Sequence, residues 1–306
     1  MELELWQIVI LIITGAIVGV SMSFIGQTGS GVVIPVVFLI TNDILLAIAI
    51  NILNDTIAAS IVSINYIKNK NYKIRKDNFI LIIVSILVSI LSVYILITTD
   101  LSKAYGIILP VFFIILGIGI YRKGFPTTDS VKQIIHNITE RFFKGKKTQQ
   151  ELDDLEKNLD EQLLLGDEVF QGIIPTNSRL FYILAICLGA FLGLNAGLFG
   201  ASGGFIIVIV LVILYGYPLK KAIGAGLLLS ILICLSTFII FQILGFYFKS
   251  RFYFDWTISF YLAIGAIIMG LIMSKYVQRL SAKAMGMGMG ATMIILGVFT
   301  LIIFFM

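Results

Sequence analysis

Residues 19–35 read GVSMSFIGQTGSGVVIP, and residues 193–209 read GLNAGLFGASGGFIIVI, 174 positions later. In each copy an apolar stretch ends in a knot of small residues. The first is Gly26-Gln27-Thr28-Gly29-Ser30-Gly31 and the second Gly200-Ala201-Ser202-Gly203-Gly204. A short apolar segment follows each knot, and then a longer one. Duplicated, glycine-interrupted hydrophobic segments at matching positions point to a transporter's midplane binding site.

Composition sets the class around these two stretches. Hydrophobic residues make up 59% of the 306 and charged residues only 13%, far from the balance of a soluble domain. Runs long enough to cross a bilayer fall at 5–25, 44–67, 78–99, 104–121, 180–199, 222–247, 257–274 and 284–305. Glu2 and Glu4 stand where a signal peptide would be basic, so no cleavable signal is expected. Cys187 and Cys234 lie in apolar segments without CxxC or histidine spacing, and read as buried, inert thiols.

Charge divides the chain into two halves and an insert. Residues 122–177 hold eight basic and ten acidic residues; removing that −2 from the total of +5 leaves +7 on the apolar part. The excess gathers in particular loops: Lys68, Lys70, Lys73, Arg75 and Lys76; Lys220 and Lys221; Lys275, Arg279 and Lys283. Arg122, Lys123 and Arg179 bracket the insert. The positive-inside rule places all of these in the cytoplasm. Segment 44–67 then runs inward, 78–99 outward and 104–121 inward. The second half starts inside where the first started outside, and both termini lie outside. Loop charge and internal repeat, read separately, agree on an inverted pair.

Segments 32–41 and 205–216 are too short for about 30 Å of hydrocarbon at about 1.5 Å per residue. They read as half-helices that start at the knots, inside the membrane. Backbone that is not helical is tolerated there only against protein or a cavity. A half-helix N-terminus presents unpaired N–H groups and partial positive charge, which suits an anion. The candidate binding residues are therefore Gln27, Thr28, Gly29, Ser30, Gly31, Asn195, Ala201, Ser202, Gly203 and Gly204. The competing reading is that these glycines only let helices pack closely.

The glycine-rich hairpins are followed by Ala47-Ile48-Ala49-Ile50 and Ala222-Ile223-Gly224-Ala225. With the duplication and the central polar insert, they resemble the TauE/SafE family of sulfite exporters and transporters of small organosulfur anions. The resemblance covers both halves but not the insert. The knot Phe199-Gly200-Ala201-Ser202-Gly203-Gly204-Phe205 is similar to the family's G-x-G-G-G-like pattern, from which the first knot departs at Ser30. The resemblance implies that the two hairpins build an anion site, with sulfite or sulfonates as the class of substrate.

Polar residues inside apolar spans are costly unless functional or paired. Asp55 is a carboxylate in mid-helix, with Asn51 one turn earlier on the same face and Asn54 beside it. Three roles are open to Asp55. With Asn51 it could carry a proton; it could cap a neighbouring half-helix; or it could hold a cation. The matching place in the second half is Ser230, so the carboxylate has no symmetric mate. Ser60, Ser63, Asn65, Ser236 and Thr237 read as packing residues, the hydroxyls able to bond back along their own helices.

The insert reads as a helical hairpin over 127–144 and 148–166, with a capping box at Thr148 and Glu151. Its first arm is basic enough to lie on anionic lipid, and His136 on that arm is a surface or packing residue. A linker is the plain reading of the whole, and a regulatory or dimerising module the other.

These observations predict an all-α polytopic membrane protein of two inverted repeats, residues 1–121 and 179–306. Each repeat is a glycine-broken re-entrant hairpin plus three transmembrane helices, with a cytoplasmic helical insert at 122–178 between them. The predicted function is secondary transport of small anions across the plasma membrane, proton-linked and by alternating access. A passive anion channel or a scaffold without transport is the alternative. The spans hold no His/Asp/Glu cluster and no nucleophile beside a base, so no enzyme, cofactor or metal is expected. The expected partners are the small anion, membrane lipid and, in a homodimer, a second copy; nucleic acid is not among them.

Overall fold

A computed structural model describes residues 3–26, 29–72, 74, 78–99, 111, 114–115, 117–119, 121–122, 179–201, 204–213, 215 and 217–305. The insert's two predicted arms and most of segment 104–121 lie outside the described residues.

Among the described residues the chain is helical and contains no strand. The helices are α1 (Leu5–Ile25), α2 (Ser30–Thr41), α3 (Ile44–Lys68), α4 (Asn78–Thr98), α5 (Arg179–Phe199), α6 (Gly204–Ile213), α7 (Leu219–Lys249), α8 (Trp256–Val277) and α9 (Ala282–Phe305). Six of them, α1, α3, α4, α5, α7 and α8, are long and apolar enough to cross a membrane. The chain is thus a multi-pass membrane protein. The two short helices start at the glycine knots, as expected, at 12 and 10 residues.

Local chemistry fixes the breaks between helices. Gly26 ends α1 in the left-handed region at φ 64°, its N–H donating to Met22 O at 2.8 Å. Gly200 takes the matching conformation at φ 55° after α5, where a side chain would be strained. Asp43 caps α3 by accepting from Leu46 N at 3.0 Å. Asp255 caps α8 by accepting from Thr257 N and Ile258 N at 2.9 and 3.0 Å.

Packing follows from small residues. Helix α1 lies against α8, with Gly15 facing Leu262 and Gly19 so close that a Cβ there would lie 2.6 Å from Ala266 O. Helix α5 lies against α4 in the same fashion, with Gly189, Gly193 and Gly197 set into Leu81, Ser85 and Ser92. Ser85 Oγ and Ser92 Oγ donate across that seam to Gly189 O and Gly193 O at 2.9 and 3.0 Å. In each pair residue numbers rise in step, so the helices run parallel. Close backbone approach of this kind holds helices together in lipid, where burial of apolar surface gives no drive.

Helices α3 and α7 cross at the centre, and α3 is the most buried of the six. The start of α3, the end of α4 and the α7–α8 loop line one cavity of about 860 Å³. At the opposite end Asn69 and Asn71, after α3, both donate to Gln278 Oε1, after α8, at 2.7 and 3.1 Å. Deeper in, Asn65 Nδ2 donates to Ser274 Oγ at 2.6 Å and ties α3 to α8. Ser60, Ser63, Ser236 and Thr237 bond back along their own helices, as read. One expectation is corrected: Cys234 is buried, but Cys187 is exposed on the outer face of α5.

Candidate functional site

The two knots meet on α3. Asp55 and Asn51 are fully buried near its middle, and Asn54 is 1% exposed. Asp55 Oδ1 accepts from Gly29 N, the N-cap of α2, at 2.7 Å. A carboxylate at a helix N-terminus satisfies an orphan donor and meets the positive end of the helix dipole. One turn away, Asn51 Nδ2 donates to Gly200 O of the second knot at 2.6 Å, and lies 3.5 Å from Asp55 Oδ2. A single face of α3 therefore touches both glycine knots.

Each knot is held by the long helix of the other half. Gly26 sits beside Leu227 of α7 and Val208 of α6, where a Cβ would make ordinary contacts at 3.7 and 3.8 Å. Gly200 sits against Ile48 of α3, where a Cβ would come within 2.9 Å of the side chain. Gly29 is tighter still: a Cβ there would lie 2.5 Å from Val18 Cγ2. A larger residue at Gly29 would push α1 and α2 apart.

Ser30, Gly31 and Gly204 are buried at the first turns of α2 and α6. Ala201 is buried, and its N–H closes the second knot on Asn195 O at 3.2 Å. The Asn195 side chain donates to Phe191 O at 2.8 Å, one turn back on its own helix. Gln27, Thr28, Ser202 and Gly203 lie outside the described residues. So six of the ten predicted binding residues, with Asn51 and Asp55, have described positions, and those of the knots gather along the α3–α7 crossing.

The helices packed on α3 bring no buried cation among the described residues. Among the described residues of α1, α2, α3, α7 and α8, the basic side chains are Lys68, Lys220, Lys221, Lys249 and Lys275, all near helix ends. The polar supply at the centre is neutral donors and helix termini. Both amide atoms of Asn54, beside Asp55 on α3, are buried without a hydrogen-bond partner, as are those of Asn78 at the start of α4. Sequence reading placed Asn54 beside Asp55 but gave it no part, because a residue's lack of partners cannot be read from spacing.

A family model described as Sulfite exporter TauE/SafE matches residues 11–300. No curated protein and no solved structure matched the chain.

Proposed function

The chain belongs to the TauE/SafE sulfite exporter family, membrane transporters of sulfite or related anions, and on that premise we propose a proton-linked carrier of small organosulfur anions. Its two halves, 1–121 and 179–306, act as inverted repeats about the α3–α7 crossing. Interchanged packing supports this: α1 on α8 answers α5 on α4, and α2 on α3 answers α6 on α7. Helix α1 runs parallel to α8, whose start lies at the cavity end, and α2 finishes at Thr41 in the cavity wall. This supports an α1–α2 hairpin that enters and leaves by one end, as a re-entrant element does. The basic loops support a cytoplasmic place for the opposite end, in a protein of the plasma membrane.

Sulfite or a sulfonate binds between the N-termini of α2 and α6. Asp55 holds the α2 end until a proton neutralises it; the anion then takes up the donors the carboxylate releases. One half rocks against the other to expose the site on either side in turn. The observation that carries this reading is the shared face of α3, with Asp55 on Gly29 N at 2.7 Å and Asn51 on Gly200 O at 2.6 Å.

The test is sulfite flux in proteoliposomes, with and without an imposed pH gradient, competed by sulfonates, sulfate and acetate. Saturable flux that follows the gradient is the expected result. Flux that never saturates and ignores the pH gradient would make the protein a passive channel. No flux for any anion would remove the transport reading and leave a scaffold.

A further inference from the structure

We propose that the site takes its anion in singly charged form, and that Asn54 is the residue that recognises it. This rests on the carrier reading above. The charge count comes first. Each half-helix N-terminus is equivalent to about half a positive charge, so two of them offset about one negative charge. No lysine or arginine among the described residues of the helices around Asp55 reaches the centre to offset a second. With Asp55 ionised the supply is already used; with Asp55 protonated, one negative charge on the ligand is matched and two are not.

Asn54 supplies the second, independent observation. Its side chain is 1% exposed, and neither Nδ2 nor Oδ1 has a partner. Buried amides are nearly always satisfied, and an unsatisfied one asks for an explanation. At 3.6 residues per turn, Asn54 lies about 60° around α3 from Asn51, on the opposite side from Asp55. The three residues form one polar arc near the middle of α3. Packing does not require an amide there, since the second half carries Leu229 at the matching position. The amide NH₂ offers two donors to an oxyanion, and its oxygen accepts from any ligand oxygen that keeps a proton.

Methanesulfonate and sulfate are both tetrahedral and differ mainly in charge, so they separate charge from shape. In wild-type proteoliposomes carrying sulfite, methanesulfonate is expected to compete at least about ten-fold more strongly than sulfate, roughly the factor that 1.4 kcal/mol represents. Asn54→Leu should raise the KM for sulfite about ten-fold or more, with the melting temperature in detergent unchanged or higher. Sulfate competing as well as methanesulfonate would overturn the charge assignment, and an unchanged KM in Asn54→Leu would overturn the role of Asn54. Absence of any sulfite flux sinks the carrier reading and this proposal together, whereas flux with the wrong preference sinks this proposal alone. If Asn54→Leu does not fold, the wild-type competition still decides the charge assignment, and the KM of Asn54→Ala decides the role of Asn54.

Discussion

Arg251 in the α7–α8 loop reaches Asp43 at the head of α3, with guanidinium nitrogen and carboxylate oxygen 2.8 Å apart. The pair joins the second half of the chain to the first at the rim of the cavity. Its members are unequal, because Asp43 also caps α3 through Leu46 N. Arg251 is 56% exposed, and an exposed ion pair contributes at most about 1 kcal/mol. Losing an N-cap costs about 1 kcal/mol in its own right.

Thermal unfolding in detergent should therefore rank the variants. Arg251→Ala and Asp43→Asn each remove the pair but keep the cap, and should lose less than about 1 kcal/mol. Asp43→Ala removes both and should lose about 1–2 kcal/mol. Equal losses for Asp43→Asn and Asp43→Ala would mean that the cap contributes nothing.

Tyr253 reports on the same corner. Burial raises its phenol pKa above the usual value, the Asp43 carboxylate raises it further, and the Arg251 guanidinium opposes both. A pKa raised in the folded state stabilises the protein fully below the unfolded pKa, about 10, and that contribution fades as pH rises through the folded value. The absorbance change assigned to Tyr253, by difference from Tyr253→Phe, should thus come at higher pH than that of free tyrosine. Arg251→Ala should move it higher and Asp43→Asn lower. The opposite order would refute the electrostatic assignment.

The helix seams make a separate prediction. A Cβ at Gly265 would overlap Ile12 O, and one at Gly193 would overlap Ser85 O, while one at Gly119 would meet nothing within 4 Å. Gly265→Ala and Gly193→Ala should each destabilise the protein by about 1–3 kcal/mol, the usual range for overpacking. Gly119→Ala is the control and should be close to neutral. Chemical denaturation of the purified variants would check it, and an intact Gly193→Ala would show that α4 and α5 separate easily.

Much of this architecture is legible in the chain, for physical reasons. Helices α2 and α6 start where glycine breaks an apolar run, and their shortness follows from the few residues before Asn42 and Tyr215. The glycines at 189, 193 and 197, four apart, mark a close helix contact, though nothing in their spacing says that the partner is α4. Contacts between distant residues are another matter. Asn51 and Gly200 lie 149 residues apart, and Gly29 and Asp55 lie 26 apart. Sequence could name Asp55 as a buried carboxylate and leave three roles open, but not aim its oxygen at Gly29. Cys187 departs from its expected burial because an apolar helix in lipid turns one apolar face outward, so hydrophobicity alone does not place a residue inside.

Asp55 can be separated into its two roles by the atom that replaces its carboxylate. Asp55→Asn can keep an oxygen facing Gly29 N–H but loses the charge and the proton, so the hydrogen bond weakens without vanishing. The stability loss should be about 1 kcal/mol, the difference between charged and neutral acceptors. Asp55→Leu leaves the buried Gly29 N–H without its acceptor, and should cost about 1–3 kcal/mol. If protonation of Asp55 admits the anion, Asp55→Asn mimics the protonated state: saturable flux of methanesulfonate, whose own charge does not change near neutral pH, should persist while its dependence on the pH gradient disappears. Asp55→Leu should lose flux as well, because α2 is no longer held at the site. Should Asp55→Asn retain the full pH dependence of the wild type, Asp55 is a helix cap only, and the proton enters elsewhere.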